Sequence, residues 1–260
     1  MKKTVSQIAQ KKLDGRPITM VTAYDFPTAQ ILDEAGVDSI LVGDSVGTNC
    51  LGYGSEREVT MDDMAHHTSA VCRAVRDALV IADLPYGCAD GADAAIANAE
   101  RLAKCGADCV KIEGWGEKAE IVRRLAENGF AVCAHIGYNP QLHDKPQPFG
   151  KDPDQAAELL DGAKALCGAG AKLIVLEMLP NELSRRICAE IAIPAIGIGS
   201  GNACDGQVLV ANDLLGMSKK LFKHVRRFEN MRERMFEAFK DYIDAVKSRE
   251  FPGECHSWKQ

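Results

Sequence analysis

Seven polar residues stand where short apolar runs stop. Ile40-Leu41-Val42-Gly43 ends on Asp44 and Ser45, residues 79–82 end on Asp83, residues 131–134 on His135 and residues 173–176 on Glu177, while Cys109-Val110 opens onto Lys111-Ile112-Glu113. Asp44, Asp83 and Glu113 are three hard oxygen donors from successive runs, a set suited to Mg²⁺ or a similar divalent ion. The plain alternative for each acid is that it caps the helix that follows. Lys111 and Glu113 are two apart on a run, so their side chains share a face. They are either a structural ion pair or a substrate-facing cation beside a metal-facing acid. His135 is either a polariser of a substrate carbonyl or a satisfied polar residue. Glu177 has apolar residues on both sides, and desolvation would raise its affinity for a proton, as a general base for a weak carbon acid needs. Its alternative is an N-cap ahead of Glu182.

These residues must be carried by something that gathers them. Apolar runs of four to six residues, separated by helical patterns, read as buried parallel strands. Strands are expected at 18–23, 40–45, 79–83, 109–113, 130–135, 172–177, 195–198 and about 207–210, with helices at 6–13, 27–35, 60–76, 92–104, 117–128, 154–167, 182–190 and about 228–247. Thr60 and Asp63 approximate a capping box. Glycines at 36, 106 and 170 stop the helices that lead into strands two, four and six. Eight strand-helix units in 260 residues match the size of a (β/α)8 TIM barrel, whose strand tips line one mouth. No linker divides the chain, so residues 1–260 are expected to form one barrel domain with an N-terminal helix and a C-terminal helical extension. The segment 47–58, with Gly47, Gly52 and Gly54, is a candidate cover for the mouth. Residues 197–201, Gly-Ile-Gly-Ser-Gly, could cradle phosphate or simply pass near a substrate.

A net charge of −6 with interspersed signs leaves no electrostatic footprint for nucleic acid or an anionic membrane, which favours a small-molecule partner. The ten cysteines are scattered through expected strands and helices and form no CxxC pair, so they read as small buried residues and not as disulfides or a zinc site. With no apolar run near 18 residues and no signal-peptide pattern, a cytoplasmic location is expected.

The ordered motifs Thr22-Ala23-Tyr24-Asp25, Leu41-Val42-Gly43-Asp44-Ser45, Ala82-Asp83-Leu84-Pro85, Val110-Lys111-Ile112-Glu113-Gly114, His135-Ile136-Gly137, Pro140-Gln141, Leu176-Glu177 and residues 194–201 and 204–210 resemble the ketopantoate hydroxymethyltransferase family over nearly the whole chain. The resemblance implies a barrel of the phosphoenolpyruvate mutase/isocitrate lyase superfamily that transfers a hydroxymethyl group from 5,10-methylenetetrahydrofolate to 3-methyl-2-oxobutanoate. By that likeness Asp44 and Asp83 hold Mg²⁺ with Glu113 in its coordination sphere, while Ser45, Asp83 and Lys111 contact the keto acid. Glu177 would then accept the proton that leaves a metal-stabilised enolate, and His135 matches a further active-site residue. It also implies a homo-oligomer, often a decamer. The segment 142–151 departs from the family's Gly-rich stretch. Two rival functions are a metal-dependent C–C lyase acting on another 2-oxo acid, against which the absent Lys-Lys-Cys-Gly-His motif counts, and a catalytically weakened keto-acid-binding or assembly protein.

Overall fold

In the computed structural model the apolar runs pair in sequence order into a closed parallel barrel of eight strands. The structure describes residues 2–143, 145–218 and 222–258. Helix α1 (Val5–Leu13) leads into β1 (Ile18–Thr22), then α2 (Phe26–Glu34), β2 (Ser39–Val42), α3 (Met61–Ala74), β3 (Leu79–Asp83), α4 (Ala92–Lys104), β4 (Cys109–Glu113), α5 (Lys118–Glu127), β5 (Val132–Gly137), α6 (Pro153–Gly168), β6 (Leu173–Glu177), α7 (Asn181–Glu190), β7 (Ala195–Ile198) and β8 (Gly206–Leu209). The chain forms two compact units, Met1–Val210 and Ala211–Gln260. Among the described residues no helix is long and apolar enough to cross a membrane.

Strand alternation divides the first unit's core in two. One set of positions, including Ile18, Met20, Leu41, Leu79, Ile81, Cys109, Cys133, Leu173, Val175, Ile196 and Val208, packs into one cluster, which Ile8 of α1 joins. The alternate positions, such as Val80, Ala82, Val110, Ile112, Ala134, Ile174 and Leu176, pack with helix residues such as Leu102, Leu125, Leu166 and Ile187. The first parity carries the chemistry. Going up β3 it reads Leu79, Ile81, Asp83; up β4, Cys109, Lys111, Glu113; up β5, Cys133, His135; and up β6, Leu173, Val175, Glu177. Each strand thus runs from apolar to ionisable on one face, and register pairs Asp83 with Lys111, and Glu113 with His135.

Several expectations shift. Strand β5 begins at Val132 and ends at Gly137 instead of spanning 130–135, because Ile136 and Gly137 pair with Leu176 and Glu177. The Thr60 capping box is present. Residues 199–205, between β7 and β8, contain no helix and form the connecting loop expected there. The segment 47–58 is not irregular throughout: Gly47–Leu51 forms a π-helical turn and Glu56–Glu58 a 3₁₀ turn.

The second unit carries the short helix α8 (Ala211–Leu214) and α9 (Met231–Ser248). The terminal helix starts three residues later than expected and has no buried residue, with Phe236, Phe239 and Tyr242 exposed.

Candidate active site

Lys111 is the centre of the site. Its ammonium, 4% exposed as a residue, donates to Asp83 Oδ2 at 3.0 Å and Glu113 Oε1 at 2.8 Å. Burial alone would strip its proton, but Asp83, Glu113 and Asp44 around it hold the charge and push its pKa well above the ordinary lysine value. Asp44 sits just past β2, and its backbone N–H donates to Asp83 Oδ2 at 3.0 Å. Burial first, then the neighbouring Asp83 and Glu113, raise the Asp44 pKa well above the usual carboxylate range. Lys111 and Glu113 are thus ion-paired, and Lys111 pairs with Asp83 as well. The helix-capping alternative fails for these acids, since Gly91 caps α4 and neither Glu113 nor Asp83 caps a helix.

His135 is 1% exposed and lies between two carboxylates. Its Nδ1 is 3.1 Å from Glu113 Oε1 and its Nε2 is 3.3 Å from Glu177 Oε2, in ion-pair contacts whose angles fall short of hydrogen bonds. Burial would lower its pKa, yet Glu113 and then Glu177 override it and push it up to about 9. In turn Lys111 and His135 outweigh burial at Glu113 and bring its carboxyl down to about 2. The imidazole is thus a buried cation beside Glu177, and the satisfied-polar reading does not describe it.

Glu177 differs from the expected desolvated base. Its side chain keeps 21% exposure, because β6 delivers it to the rim and its carboxylate turns toward His135, away from the apolar residues beside it in sequence. It is no N-cap, since Pro180 occupies that position of α7. Two backbone features aim it. Met178 adopts a left-handed φ of +54°, a conformation costly for a non-glycine residue, held by Met178 N–H to Ile198 O and Phe149 N–H to Met178 O. Gly137 passes so close that a Cβ there would lie 2.1 Å from Glu177 O, so only glycine fits.

Ser45 is half-buried, and its hydroxyl shares a 2.8 Å hydrogen bond with Tyr24. A Cβ on Gly43 would meet Ser45 Oγ at 2.9 Å and Asp83 Oδ2 at 3.5 Å, which sets this hydroxyl beside the cluster. All seven residues singled out by type and spacing therefore converge. Reasoning from sequence missed the parts that close the site. Gln141 Nε2 donates to Asp44 Oδ2 at 2.7 Å, and Arg57 Nε donates to the Gln141 carbonyl at 2.7 Å, tying the 47–58 segment to the loop after β5. The Pro140-Gln141 motif was the available signal, but its partners are 97 and 84 residues away. Within the Gly-rich segment 197–201 the Ser200 hydroxyl is fully buried, donates to Leu176 O at 2.7 Å and accepts from Leu179 N–H at 3.1 Å, bracing β6.

The donor set fits a divalent cation. Oxygens of Asp44, Asp83 and Glu113 lie within 4.8 Å of one another, and Asp83 Oδ1 and Glu113 Oε2 are buried without a hydrogen-bond partner. Unpaired buried carboxylate oxygens are costly. Burial and mutual repulsion press Asp44 and Asp83 toward their neutral forms, a strain that a divalent ion with hard oxygen ligands would relieve.

Comparison with known proteins follows the same lines. A family model described as ketopantoate hydroxymethyltransferase matches residues 2–254. The 3-methyl-2-oxobutanoate hydroxymethyltransferase of Acetivibrio thermocellus is 46% identical over 262 residues, covering 98% of this chain and 93% of its own. That of Enterococcus faecalis is 44% identical, covering 100% and 96%. Among solved structures, phosphoenolpyruvate phosphomutase from Streptomyces platensis aligns with a TM-score of 0.65 at 14% identity, covering 95% of this chain and 88% of its own. A 2,3-dimethylmalate lyase of the PEP mutase/isocitrate lyase superfamily aligns with 0.60 at 15%, covering 97% and 90%. These likenesses show the fold, a closed parallel (β/α)8 barrel.

Proposed function

The chain belongs to the ketopantoate hydroxymethyltransferase family, and from that premise we propose that it transfers a hydroxymethyl group from 5,10-methylenetetrahydrofolate to 3-methyl-2-oxobutanoate, giving 2-dehydropantoate for pantothenate and coenzyme A synthesis. The observation that carries this reading is the grouping of three buried carboxylates, two of them (Asp83 and Glu113) with an unpartnered oxygen, beside a fourth, Glu177, that retains solvent access. Asp44, Asp83 and Glu113 would hold Mg²⁺, which when bound supplies positive charge that acidifies the C–H next to a ketone.

Glu177 then takes the proton from C3 of the keto acid. Its exposure lets that proton leave to water, and the His135 cation 3.3 Å away steadies its carboxylate between turnovers. Lys111 is placed to meet the negative charge that develops on the keto acid's oxygens, in a water-poor setting where such a cation is most effective. Ser45, oriented by the Tyr24 hydroxyl, and Asp83 complete the keto acid's polar contacts. In the balanced reaction a bond forms between C3 and the donor's methylene carbon, water supplies the hydroxyl group, and tetrahydrofolate leaves. On this reading residues 1–260 work as one barrel domain with a helical extension, in a cytoplasmic homo-oligomer.

Proton NMR of the complete reaction tests the assignment. With both substrates and Mg²⁺ the protein yields 2-dehydropantoate, and Glu177→Gln lowers the rate by about 10²- to 10⁴-fold without loss of fold. Cleavage of the 2-oxo acid in place of its extension, or full turnover by Glu177→Gln, would contradict it.

A further inference from the structure

Bordering Glu113 at the C-terminal end of the strands is a cavity of about 240 Å³, walled by the segments that follow β3, β4 and β5. Nothing in the roles assigned above occupies it. Its walls include Leu84, Ile112 and the indole of Trp115, and its lips carry Tyr86 and Leu142, which are 48% and 60% exposed. Trp115 is a fixed wall. Its Nε1 donates to Glu158 Oε1 at 3.1 Å, and a Cβ on Gly162 would come within 3.1 Å of the ring. Exposed Tyr86 and Leu142 beside a concave, largely apolar surface with a few polar groups, among them Asn139 and Gln141, are the marks of a small-molecule pocket.

Charge and size select the occupant. The ionisable side chains in the wall are Glu113, Asp90 and Lys118, and the Lys118 ammonium already donates to Ala89 O at 2.7 Å and lies 3.7 Å from Asp90. The lining therefore bears a net charge of minus one with no free cation, which disfavours a small anion such as a 2-oxo acid and favours a neutral ring bearing N–H donors. The volume is below the roughly 300 Å³ at which pockets enclose a drug-sized molecule, so it takes a ring system while the rest of the ligand lies outside. We propose that this cavity is the subsite for the fused heterocycle of the one-carbon donor. The proposal rests on the hydroxymethyl-transfer reading. It sets the donor against Glu113, the residue shared with the acid cluster, so that the two substrates meet there.

Two variants and one titration test it. Leu142→Trp fills the mouth and Tyr86→Ala removes a lip, both at exposed positions. The expected result is a rise of at least tenfold in KM for 5,10-methylenetetrahydrofolate for Leu142→Trp and a smaller rise for Tyr86→Ala. Donor-free exchange of the C3 proton of 3-methyl-2-oxobutanoate, with Mg²⁺, stays within twofold of wild type in both. The chain has two tryptophans, so Trp258→Phe leaves Trp115 as the sole emitter, and tetrahydrofolate should quench it saturably. Wild-type donor KM in both variants, no quenching, or a fall in donor-free exchange matching the rise in KM would each overturn the subsite. A wild-type protein that shows no exchange at all would instead overturn the underlying functional reading.

Discussion

The two ends of the barrel treat buried charge in opposite ways. At the N-terminal end Asp38, 5% exposed, is matched by donors at one oxygen: its Oδ2 pairs with Lys11 and accepts from the Thr19 N–H at 2.9 Å and the Thr19 hydroxyl at 3.0 Å. Burial would raise its pKa, but Lys11 and Thr19 outweigh this and hold it below the ordinary value. At the C-terminal mouth Asp44, equally buried, is pushed the other way by its acidic neighbours, and Asp83 and Glu113 each keep an oxygen without a partner. A carboxylate surrounded by donors and a cation holds the fold together, whereas carboxylates crowded against one another with oxygens left unpartnered are costly to bury, and that difference separates the two ends of one barrel.

The contrast breaks most visibly at Lys111. Replacing it with Met leaves buried carboxylates uncompensated, so Lys111→Met should lose about 3–5 kcal/mol of stability in urea denaturation, the usual cost of removing one partner of a buried charge group. Little or no loss would mean that the mouth acids are already neutral.

A next test separates the ends by ligand. At a hundredfold excess over its Kd, Mg²⁺ should stabilise the wild type by about 2.7 kcal/mol, seen as a higher melting temperature. Asp44→Asn should remove that gain while costing nothing in chelator, because it relieves repulsion. Asp38→Asn should leave the Mg²⁺ gain intact.

The smallest effect is the structural one. Asp38→Asn should cost about 1–3 kcal/mol at neutral pH by leaving Lys11 and Thr19 poorly matched. Since the folded Asp38 pKa is depressed, its contribution is present above the ordinary value of 3.8 and fades as pH falls through the folded value. The difference between wild type and variant in denaturation midpoint should therefore shrink below about pH 3.8. A gap constant with pH would assign the loss to packing.

Much of the mouth was legible in the sequence because strands translate spacing into direction. Lys111 and Glu113, two apart, do face one way, and the acids at the ends of β2, β3 and β4 do meet. The environment of Glu177 was not legible: flanking apolar residues on a strand point to other faces, and its exposure depends on where β6 ends relative to the rim. Gln141 and Arg57 were equally hidden, since a contact across 97 or 84 residues is set by closure of the barrel and leaves no local pattern. Ser200 was hidden too: within a Gly-rich run that draws attention for its backbone, the buried hydroxyl bonds the backbone of β6 and the residues after it.

The most direct test of the central claim, that the mouth is a cation-assisted proton-abstraction site, is hydrogen-deuterium exchange at C3 of 3-methyl-2-oxobutanoate, followed by proton NMR without folate. Exchange that requires both Mg²⁺ and Glu177 is the predicted result. A well-folded protein that leaves the C3 proton in place with Mg²⁺ present, or that exchanges it equally well as Glu177→Gln, would contradict the account.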